Sequence, residues 1–239
     1  MSSTGSSRIS TSALIALACV ALCGCAARPE FGAVLFTGHF DAGLDNWQIE
    51  AEKPGRIEAA NGVLDIDVPA GATLWFKPKL QSPVAIEFEA TAVSAGGPND
   101  QVSDLDVFWM ANNPDGAEPV YATARSGAFA QYNNLRAYYV GLGGNRNTTT
   151  RLWRYVGDPS NRPLLPQHDL SARSAMLMPN RQQTIVLIAN GRTVEFRRDG
   201  QPLLRMSDPA PYTSGWFALR TTYSHLRIRD LRIYRLPEP

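Results

Sequence analysis

Side chains able to recognise a polyhydroxylated ligand are concentrated in residues 103–155. This stretch mixes aromatic, amide, hydroxyl and guanidinium groups in strand-like patterns, whereas a purely structural strand needs only one apolar face. Aromatic rings offer flat apolar surfaces to the C–H-rich faces of sugars, and Arg, Asn and Thr provide donors and acceptors for hydroxyl and carboxylate groups. The stretch therefore predicts a polysaccharide or oligosaccharide as the partner.

The predicted strand 148–156 carries the most specific version of this pattern. Period-two alternation places on one face four residues that an apolar core does not require, namely Thr149, Arg151, Trp153 and Tyr155. We expect this face to line an open cleft to which neighbouring strands also contribute. The predicted ligand-binding residues are Trp109, Asn145, Asn147, Thr149, Trp153 and Arg220.

Uronate β-elimination is one reaction that these residue types support, because it needs a group that neutralises the carboxylate, a base and an acid. Candidates for the neutralising group are Arg125, Asn147 and Arg151, and candidates for the base and the acid are Tyr138, Tyr139, Tyr155 and His168. Alternation puts Tyr138 and Tyr139 on opposite faces of a strand, and we assign Tyr139 to the cleft. The predicted catalytic set is Tyr139, Arg151, Tyr155, His168 and Arg125.

Two carboxylates, Glu87 and Glu89, share one face of the predicted strand 84–93. Retaining glycosidases of the jelly-roll type use a nucleophile and an acid about 5 Å apart. Their strand usually carries three acidic residues in alternation, and this strand carries two. We therefore interpret the pair as part of a solvent-facing sheet surface.

Composition excludes several classes of protein. The chain of 239 residues has a formal net charge of +1, which is too balanced for a nucleic-acid partner. It contains no His-Glu-x-x-His, no Gly-x-Ser-x-Gly, no phosphate-binding glycine loop and no dinucleotide fingerprint. Zinc proteases, α/β-hydrolases and nucleotide enzymes are therefore disfavoured. We also expect a monomer.

No metal or cofactor is predicted for this chain. The three histidines, His39, His168 and His225, are too far apart in sequence to define a metal site, and a structural role is the alternative for each. A structural calcium ion between early and late strands is a further alternative, with Asp41, Asp45 and Asp230 as its ligands.

Glycine-containing turns and alternating apolar residues predict one all-β domain. Glycine hairpins join strands 184–189, 193–198 and 202–206 into a three-stranded meander. A change of side-chain parity in the last strand predicts a β-bulge near Arg229 and Asp230. The other predicted strands are 32–37, 64–68, 72–76, 84–93, 105–110, 137–142, 148–156, 216–221 and 226–236, with a long loop at 159–179. The predicted fold is a single antiparallel β-sandwich of the jelly-roll, concanavalin A-like class.

The N-terminal segment contains all three cysteines, so the folded domain has no disulfide and no thiol nucleophile. The apolar run 13–23 is too short to span a bilayer and indicates a secretory signal. Its end, Leu22-Cys23-Gly24-Cys25, resembles the lipobox of bacterial lipoproteins, with Cys23 as an unusual residue at its position. The resemblance implies that Cys25 carries lipid and tethers a soluble domain to a membrane surface. Cleavage by ordinary signal peptidase is the alternative.

The expected organisation is therefore a lipoprotein signal peptide over residues 1–25, a tether over 26–31 and a β-sandwich domain over 32–239. The expected location is the cell envelope, at the outer membrane or its periplasmic face.

A family resemblance rests on six motifs spread over the chain. They are Gly97-Pro98-Asn99-Asp100, Phe108-Trp109-Met110, Arg125-Ser126-Gly127, Tyr138-Tyr139-Val140-Gly141, Asn147-Thr148-Thr149-Thr150-Arg151 and Pro211-Tyr212-Thr213-Ser214-Gly215-Trp216-Phe217. In these motifs the chain resembles a bacterial secreted family known as a domain of unknown function, DUF 6250, over nearly all of the mature chain. The resemblance implies no particular reaction.

The architecture is more loosely similar to jelly-roll polysaccharide lyases, 3-keto-glycoside hydrolases and concanavalin A-like lectins and glucanases, which is an analogy of fold. Three functional classes follow. The protein binds and cleaves a polysaccharide as a lyase or glycoside hydrolase, binds carbohydrate without cleaving it, or is a structural lipoprotein that docks another protein.

Overall fold

The computed structural model describes Met1, residues 31–41 and residues 43–238. The three cysteines, the lipobox and residues 26–30 of the expected tether lie outside the described residues. Within the described part, no helix is both long enough and apolar enough to cross a membrane.

Fourteen strands, all paired in antiparallel fashion, form the described part of the chain. Their bounds are β1 Val34–Gly38, β2 Trp47–Ala51, β3 Arg56–Ala60, β4 Val63–Phe76, β5 Leu80–Gln81, β6 Val84–Ala92, β7 Leu105–Asn112, β8 Arg136–Gly143, β9 Thr149–Val156, β10 Asp169–Leu170, β11 Gln182–Asn190, β12 Thr193–Arg198, β13 Gln201–Ser207 and β14 Ser214–Arg235. Single 3-10 turns occur at Val120–Ala122, Phe129–Tyr132, Pro166–His168 and Arg173–Ala175.

Two long strands, β4 and β14, pass from one layer of the sandwich into the other. The first half of β14 pairs with β7, and its second half pairs with β6. The pairing of β14 with β4 shifts register between Thr222 and Ser224, where Tyr223 adopts a φ of 47°. The front sheet therefore has the order β10-β9-β8-β7-β14-β4-β2, and the back sheet is built on β14-β6-β11-β12-β13.

The central strands of the front sheet, β7 and β8, are almost entirely buried on both faces, which explains why neither has a solvent-facing side. Leu105, Val107 and Trp109 of β7 belong to the large core between the two sheets. Phe108 of the same strand points the other way, into an aromatic cluster with Tyr132 and Tyr139. The segment that contains the 3-10 turns at Val120–Ala122 and Phe129–Tyr132 packs on this outer cluster and covers part of the sheet.

The structure confirms the predicted antiparallel β-sandwich and corrects some of its details. The strand predicted at 193–198 is β12 with the same bounds, and the predicted bulge appears as a register shift between Arg229 and Arg232. The strands predicted separately at 216–221 and 226–236 are one strand, β14, because the chain bends at Tyr223 without leaving the sheet. The loop predicted at 159–179 contains the short strand β10.

Candidate functional site

A cleft of about 300 Å³ opens on the outer face of the front sheet. Its lining combines carboxyl, guanidinium, amide and hydroxyl groups with aromatic rings. The lining residues are Asp104, Asp106, Phe129, Tyr139, Gly141, Gly144, Asn145, Thr149, Arg151, Trp153, Arg162, Arg220 and Thr222. We call this cavity the front cleft.

Because side chains alternate along a strand, most of these residues point to the outer face of the front sheet. On β8, Tyr139 and Gly141 lie two residues apart, and on β9 the same spacing separates Arg151 from Trp153. Because β7, β8, β9 and β14 are neighbours in the front sheet, their outward residues form one continuous surface. Phe129 and Arg162 come instead from segments that connect the strands.

A second cavity, of about 530 Å³, continues the front cleft. The two cavities share Asp104, Asn145 and Thr222 as lining residues. Tyr223 lines the second cavity but not the front cleft and is 48% exposed, whereas Phe129 lines the front cleft and is 37% exposed. A ligand that fills both cavities passes over Asp104.

A left-handed turn over Gly144–Asn147 places the Asn145 side-chain amide in the cleft and turns the Asn147 side-chain amide away from it. Asn145, Arg146 and Asn147 have φ values of 52°, 57° and 61°, a conformation that asparagine tolerates better than most residues. The Asn145 amide donates to the Thr149 hydroxyl at 3.1 Å. The Asn147 amide instead exchanges hydrogen bonds with the backbone of Leu177, at 3.0 and 2.8 Å, and is used structurally.

A pair of carboxyl groups, Asp104 and Asp106, lies at the floor of the front cleft. Burial raises the pKa of Asp106 well above its usual value; Asp104 adds to the rise, and Arg220 opposes it. Burial also raises the pKa of Asp104, and a hydrogen bond from Ser103 and the charge of Arg220 offset part of that rise. Because the pKa of Asp106 is raised further than that of Asp104, Asp106 is the member of the pair that holds a proton more readily.

Gly141 leaves the space in which Asp106 lies beside Tyr139. A Cβ atom at position 141 would lie 3.1 Å from the Tyr139 hydroxyl and 3.3 Å from Oδ1 of Asp106. Among the described residues that Oδ1 atom is buried and makes no hydrogen bond of regular geometry, although the Tyr139 side chain is close enough to lower the Asp106 pKa. A buried acceptor without a regular hydrogen bond is costly, and a catalytic role is one of the explanations for its presence in a native structure.

Tyr139 in the cleft and Tyr155 beneath its rim are proton donors rather than bases. Burial raises the pKa of Tyr139 well above its usual value, and the neighbouring Asp106 and Tyr155 add to the rise. Burial raises the pKa of Tyr155 to about 12, although Arg162 opposes the shift. Both hydroxyls therefore keep their protons at neutral pH, which leaves Asp104 as the basic group of the cleft.

Three guanidinium groups line the front cleft, and each is held differently. Arg151 forms an ion pair with Asp169 through two contacts of 2.6 and 3.2 Å. Arg220 is 2% exposed; its Nη1 donates to the Thr73 hydroxyl and the Gly127 carbonyl, both at 2.8 Å. Arg162 is half-buried, and its Nη1 donates to Asn133 Oδ1 at 2.8 Å and the Tyr155 hydroxyl at 3.2 Å.

The structure brings six of the predicted site residues together at the front cleft. They are Tyr139, Arg151, Asn145, Thr149, Trp153 and Arg220. The assignment of Tyr139 rather than Tyr138 to the cleft agrees with this placement, because the Tyr138 hydroxyl donates to Asp208 at 2.8 Å on the core side.

The other predicted residues do not line the cleft, each for a physical reason. Trp109 faces the core between the sheets and is fully buried. Arg125 is committed to Asn113 at 2.6 Å and to backbone carbonyls in the covering segment. His168 is buried, with Nε2 3.0 Å from the carbonyl of Arg205 on the back sheet. Tyr155 lies under the rim, beside Tyr139 and beneath Arg162, and is fully buried.

Sequence reasoning missed Asp104, Asp106, Phe129, Arg162 and Thr222. The available signal was the spacing of Asp104 and Asp106, which is the two-residue spacing that singled out Glu87 and Glu89. Glu89 lies instead on β6 of the back sheet, away from the cleft. Burial and the neighbouring Asp230 raise its pKa. Phe129 and Arg162 lie outside the predicted strands, so the alternation of side chains along a strand could not predict the direction in which they point.

Metal ligation finds no geometric support in residues 31–41 and 43–238. No group of three or more His, Cys, Asp or Glu side chains lies together there in a way that could hold a metal ion. The calcium alternative with Asp41, Asp45 and Asp230 as ligands therefore gains no support from the described residues.

Comparisons with known proteins agree with this architecture. A family model described as "Domain of unknown function (DUF6250)" matches residues 66–231, as the motif resemblance predicted. No curated protein is significantly similar to the chain in sequence.

Several solved structures are similar in fold at low sequence identity. A protein of unknown function with a galectin-like fold from Bacillus subtilis is 15% identical, with a TM-score of 0.66 over 88% of this chain and 99% of that one. A carbohydrate-binding module, CBM66, from the same organism is 8% identical, with a TM-score of 0.53 over 80% and 96%. An endo-β-1,3-glucanase from Pyrococcus furiosus is 9% identical, with a TM-score of 0.54 over 86% and 95%. These similarities confirm the jelly-roll, concanavalin-like sandwich.

Proposed function

The chain belongs to the DUF6250 family, and we propose that it binds a segment of an oligosaccharide or polysaccharide in the front cleft. The observation that carries the proposal is the joint presence of a half-buried Trp153 ring and convergent polar groups in one open cavity. A ring of this kind gives a sugar face an apolar surface, while Asn145, Thr149 and Asp104 offer hydrogen bonds to its hydroxyl groups.

The length of the cavity favours a chain-like ligand. The front cleft and its continuation meet at Asp104, Asn145 and Thr222, and exposed rings, Phe129 and Tyr223, flank them. The fold relatives named as a carbohydrate-binding module and a glucanase give the same class of ligand additional support.

Replacing Trp153 by alanine is the first test of this proposal. We expect affinity for the bound saccharide to fall by about 10- to 100-fold, because loss of a stacked ring removes about 1.5–3 kcal/mol. Isothermal titration calorimetry on the purified mature protein measures the change. Trp153→Phe keeps a ring and serves as the matched control, with a smaller loss expected. Equal affinities of Trp153→Ala and the unaltered protein would count against the front cleft as the site.

The tether is a second part of the proposed function. We propose that Cys25, at the end of the lipobox-like Leu22-Cys23-Gly24-Cys25, is acylated and holds the sandwich at the cell envelope. Metabolic labelling with a fatty acid should mark the protein, and Cys25→Ser should abolish the label. Persistence of the label in Cys25→Ser, or its absence from the unaltered protein, would point to ordinary export instead.

Cleavage of the bound saccharide is a second candidate function, favoured by the position of Asp104 and Asp106 where the two cavities meet. Glycoside hydrolysis needs one carboxylic acid to protonate the leaving oxygen and one carboxylate to take a proton from water. Asp106 fits the first role because burial raises its pKa, and Asp104 fits the second. If Asp104 and Asp106 do not hydrolyse a glycosidic bond, the protein only binds the saccharide.

A further inference from the structure

The charges that line the front cleft do not cancel. Three guanidinium groups, Arg151, Arg162 and Arg220, face two carboxyl groups, Asp104 and Asp106. Burial raises the Asp106 pKa well above its usual value, which favours the neutral form of this carboxyl group. Arg151 is neutralised from outside the cleft by Asp169. The lining therefore keeps an excess of positive charge.

Neither Arg162 nor Arg220 hydrogen-bonds a carboxylate among the described residues, but Arg220 is 2% exposed whereas Arg162 is half-buried. Within residues 31–41 and 43–238, its recorded hydrogen bonds are to the amide oxygen of Asn133 and the hydroxyl of Tyr155, both of which are uncharged. The guanidinium carbon also lies 5.6 Å from the centre of the Tyr155 ring. These contacts fix the orientation of the side chain without cancelling its charge.

The free edge of this guanidinium has a definite shape. Both recorded bonds leave from Nη1, so Nε and Nη2 of Arg162 donate to no protein acceptor among the described residues. Those two N–H groups point side by side and match the two oxygens of a carboxylate in a bidentate pair. A point cation such as lysine does not offer this edge.

Aromatic contact and carboxylate recognition meet in the same cavity. Trp153 and Arg162 both line the front cleft. The Arg162 guanidinium stacks on the ring of Tyr155, which lies two residues from Trp153 on β9. A ligand that uses both must have an apolar ring face and a carboxylate attached to the ring. A uronic acid has both features, and a neutral hexose has only the first.

We propose that the front cleft recognises a uronic acid residue, with its carboxylate on the Nε and Nη2 edge of Arg162 and its ring against Trp153. This inference rests on the proposed saccharide binding and adds the chemical class of the sugar. It also moves the carboxylate-recognising role from Arg125, Asn147 and Arg151, where the sequence placed it, to Arg162.

The test compares acidic saccharides with their own neutral forms. Purified mature protein is titrated with oligogalacturonate, oligoglucuronate and oligomannuronate, and with the same oligomers after chemical reduction of every carboxyl group to a hydroxymethyl group. We expect at least one uronate oligomer to bind at least tenfold more tightly than its reduced form. The affinity for that oligomer should fall as sodium chloride is raised from 50 to 500 mM.

Variants at position 162 assign the effect to one side chain. Arg162→Gln should lower affinity for the uronate oligomer by about tenfold or more and leave affinity for the reduced oligomer nearly unchanged. Arg162→Lys should fall between the two, because it keeps the charge and loses the bidentate edge. Arg181→Gln is the matched control, since Arg181 pairs with Asp199 on the back sheet and should have no effect on binding. Thermal unfolding of each variant verifies that it is folded.

The possible failures are distinguishable. Equal binding of the uronate and reduced oligomers, or an unchanged affinity in folded Arg162→Gln and Arg162→Lys, would overturn the uronate inference and leave saccharide binding standing. Tighter binding of sulfated galactans than of any uronate would overturn it as well, in favour of a sulfate ester. If no saccharide in either form binds, the proposed function fails together with this inference.

Discussion

Replacing Asp104 by asparagine is expected to lower the rate of saccharide cleavage by about 100- to 10,000-fold, the range that a lost general base costs. Asparagine has nearly the same shape as aspartate and retains one acceptor oxygen, so affinity for the saccharide should change by less than about threefold. The physical reason is that the asparagine amide cannot accept a proton from the attacking water. In the proposed hydrolysis we assign this role to Asp104, because it lines both cavities where they meet.

The pH profile of cleavage supplies an independent check on the same pair. The reaction needs Asp104 ionised and Asp106 protonated, and burial raises the pKa of both, that of Asp106 much further. Cleavage should therefore fall on the acidic side as Asp104 is protonated and on the basic side as Asp106 loses its proton. Asp106→Asn should remove the basic limb together with most of the rate.

Release of reducing ends, followed in parallel with absorbance near 235 nm, measures these rates and separates hydrolysis from elimination. Asp41→Asn is the matched control, because Asp41 is exposed before β2 and away from the cleft lining. Full activity of folded Asp104→Asn would contradict the assignment. A saccharide that binds tightly to the unaltered protein and is never cleaved would select the binding-only function.

Replacing Arg220 by alanine is expected to destabilise the fold by about 3–5 kcal/mol, as removal of one partner from a buried charged cluster does. Arg220 is 2% exposed, and its guanidinium lies 5.0 Å from the Phe129 ring centre and 4.9 Å from that of Tyr132. Its charge lowers the pKa of Asp104, Asp106 and Glu50. Its loss would remove the only cation that lowers the pKa of Asp104 and Asp106 among the described residues, while Glu50 would keep Arg125.

The loss of stability in Arg220→Ala should grow as pH rises. Without Arg220 the folded-state pKa of Asp104, Asp106 and Glu50 rises further above the unfolded values, near 3.8 for aspartate and 4.5 for glutamate. A group whose folded pKa is raised takes up protons on folding, so stability is lost as pH rises above its unfolded pKa. The deficit should therefore be larger at pH 8 than at pH 5.

Urea unfolding at both pH values measures this effect. Arg181→Ala is the control for removing an arginine, since Arg181 is exposed in a surface ion pair with Asp199 and should cost less than about 1 kcal/mol. A cost below about 1 kcal/mol for Arg220→Ala, or a deficit that shrinks with rising pH, would show that the cluster does not depend on Arg220.

The β-sandwich was predictable from sequence because its strands carry strong local signals. The Asn190-Gly191 and Asp199-Gly200 turns mark the ends of β12, and the parity change near Asp230 marks the bulge. The bend at Tyr223 was not predictable, since neither glycine nor proline accompanies it. Its φ of 47° is imposed by passage of β14 from one sheet to the other.

The site was only partly predictable because alternation gives the face of a residue but not what covers that face. Alternation correctly predicted that Arg151 and Trp153 line the same cleft. It failed for Trp109, because β7 is packed on both faces and Trp109 points into the core. Long-range contacts decided the remaining cases. His168 lies against the back sheet, whereas Arg162 reaches the cleft from a loop because Asn133 and Tyr155 hold it there.

Protection of Trp153 by a saccharide is the most direct test of the central claim, which is that the front cleft holds the ligand. Trp153 is half-buried and lines the cleft, whereas Trp47, Trp75, Trp109 and Trp216 are at most 6% exposed. Quenching of tryptophan fluorescence by acrylamide should therefore report mainly on Trp153 and should fall when a bound oligosaccharide covers its ring. The fall should be absent in Trp153→Phe. Saturating saccharide binding with unchanged quenching would place the ligand elsewhere on the protein and contradict the account.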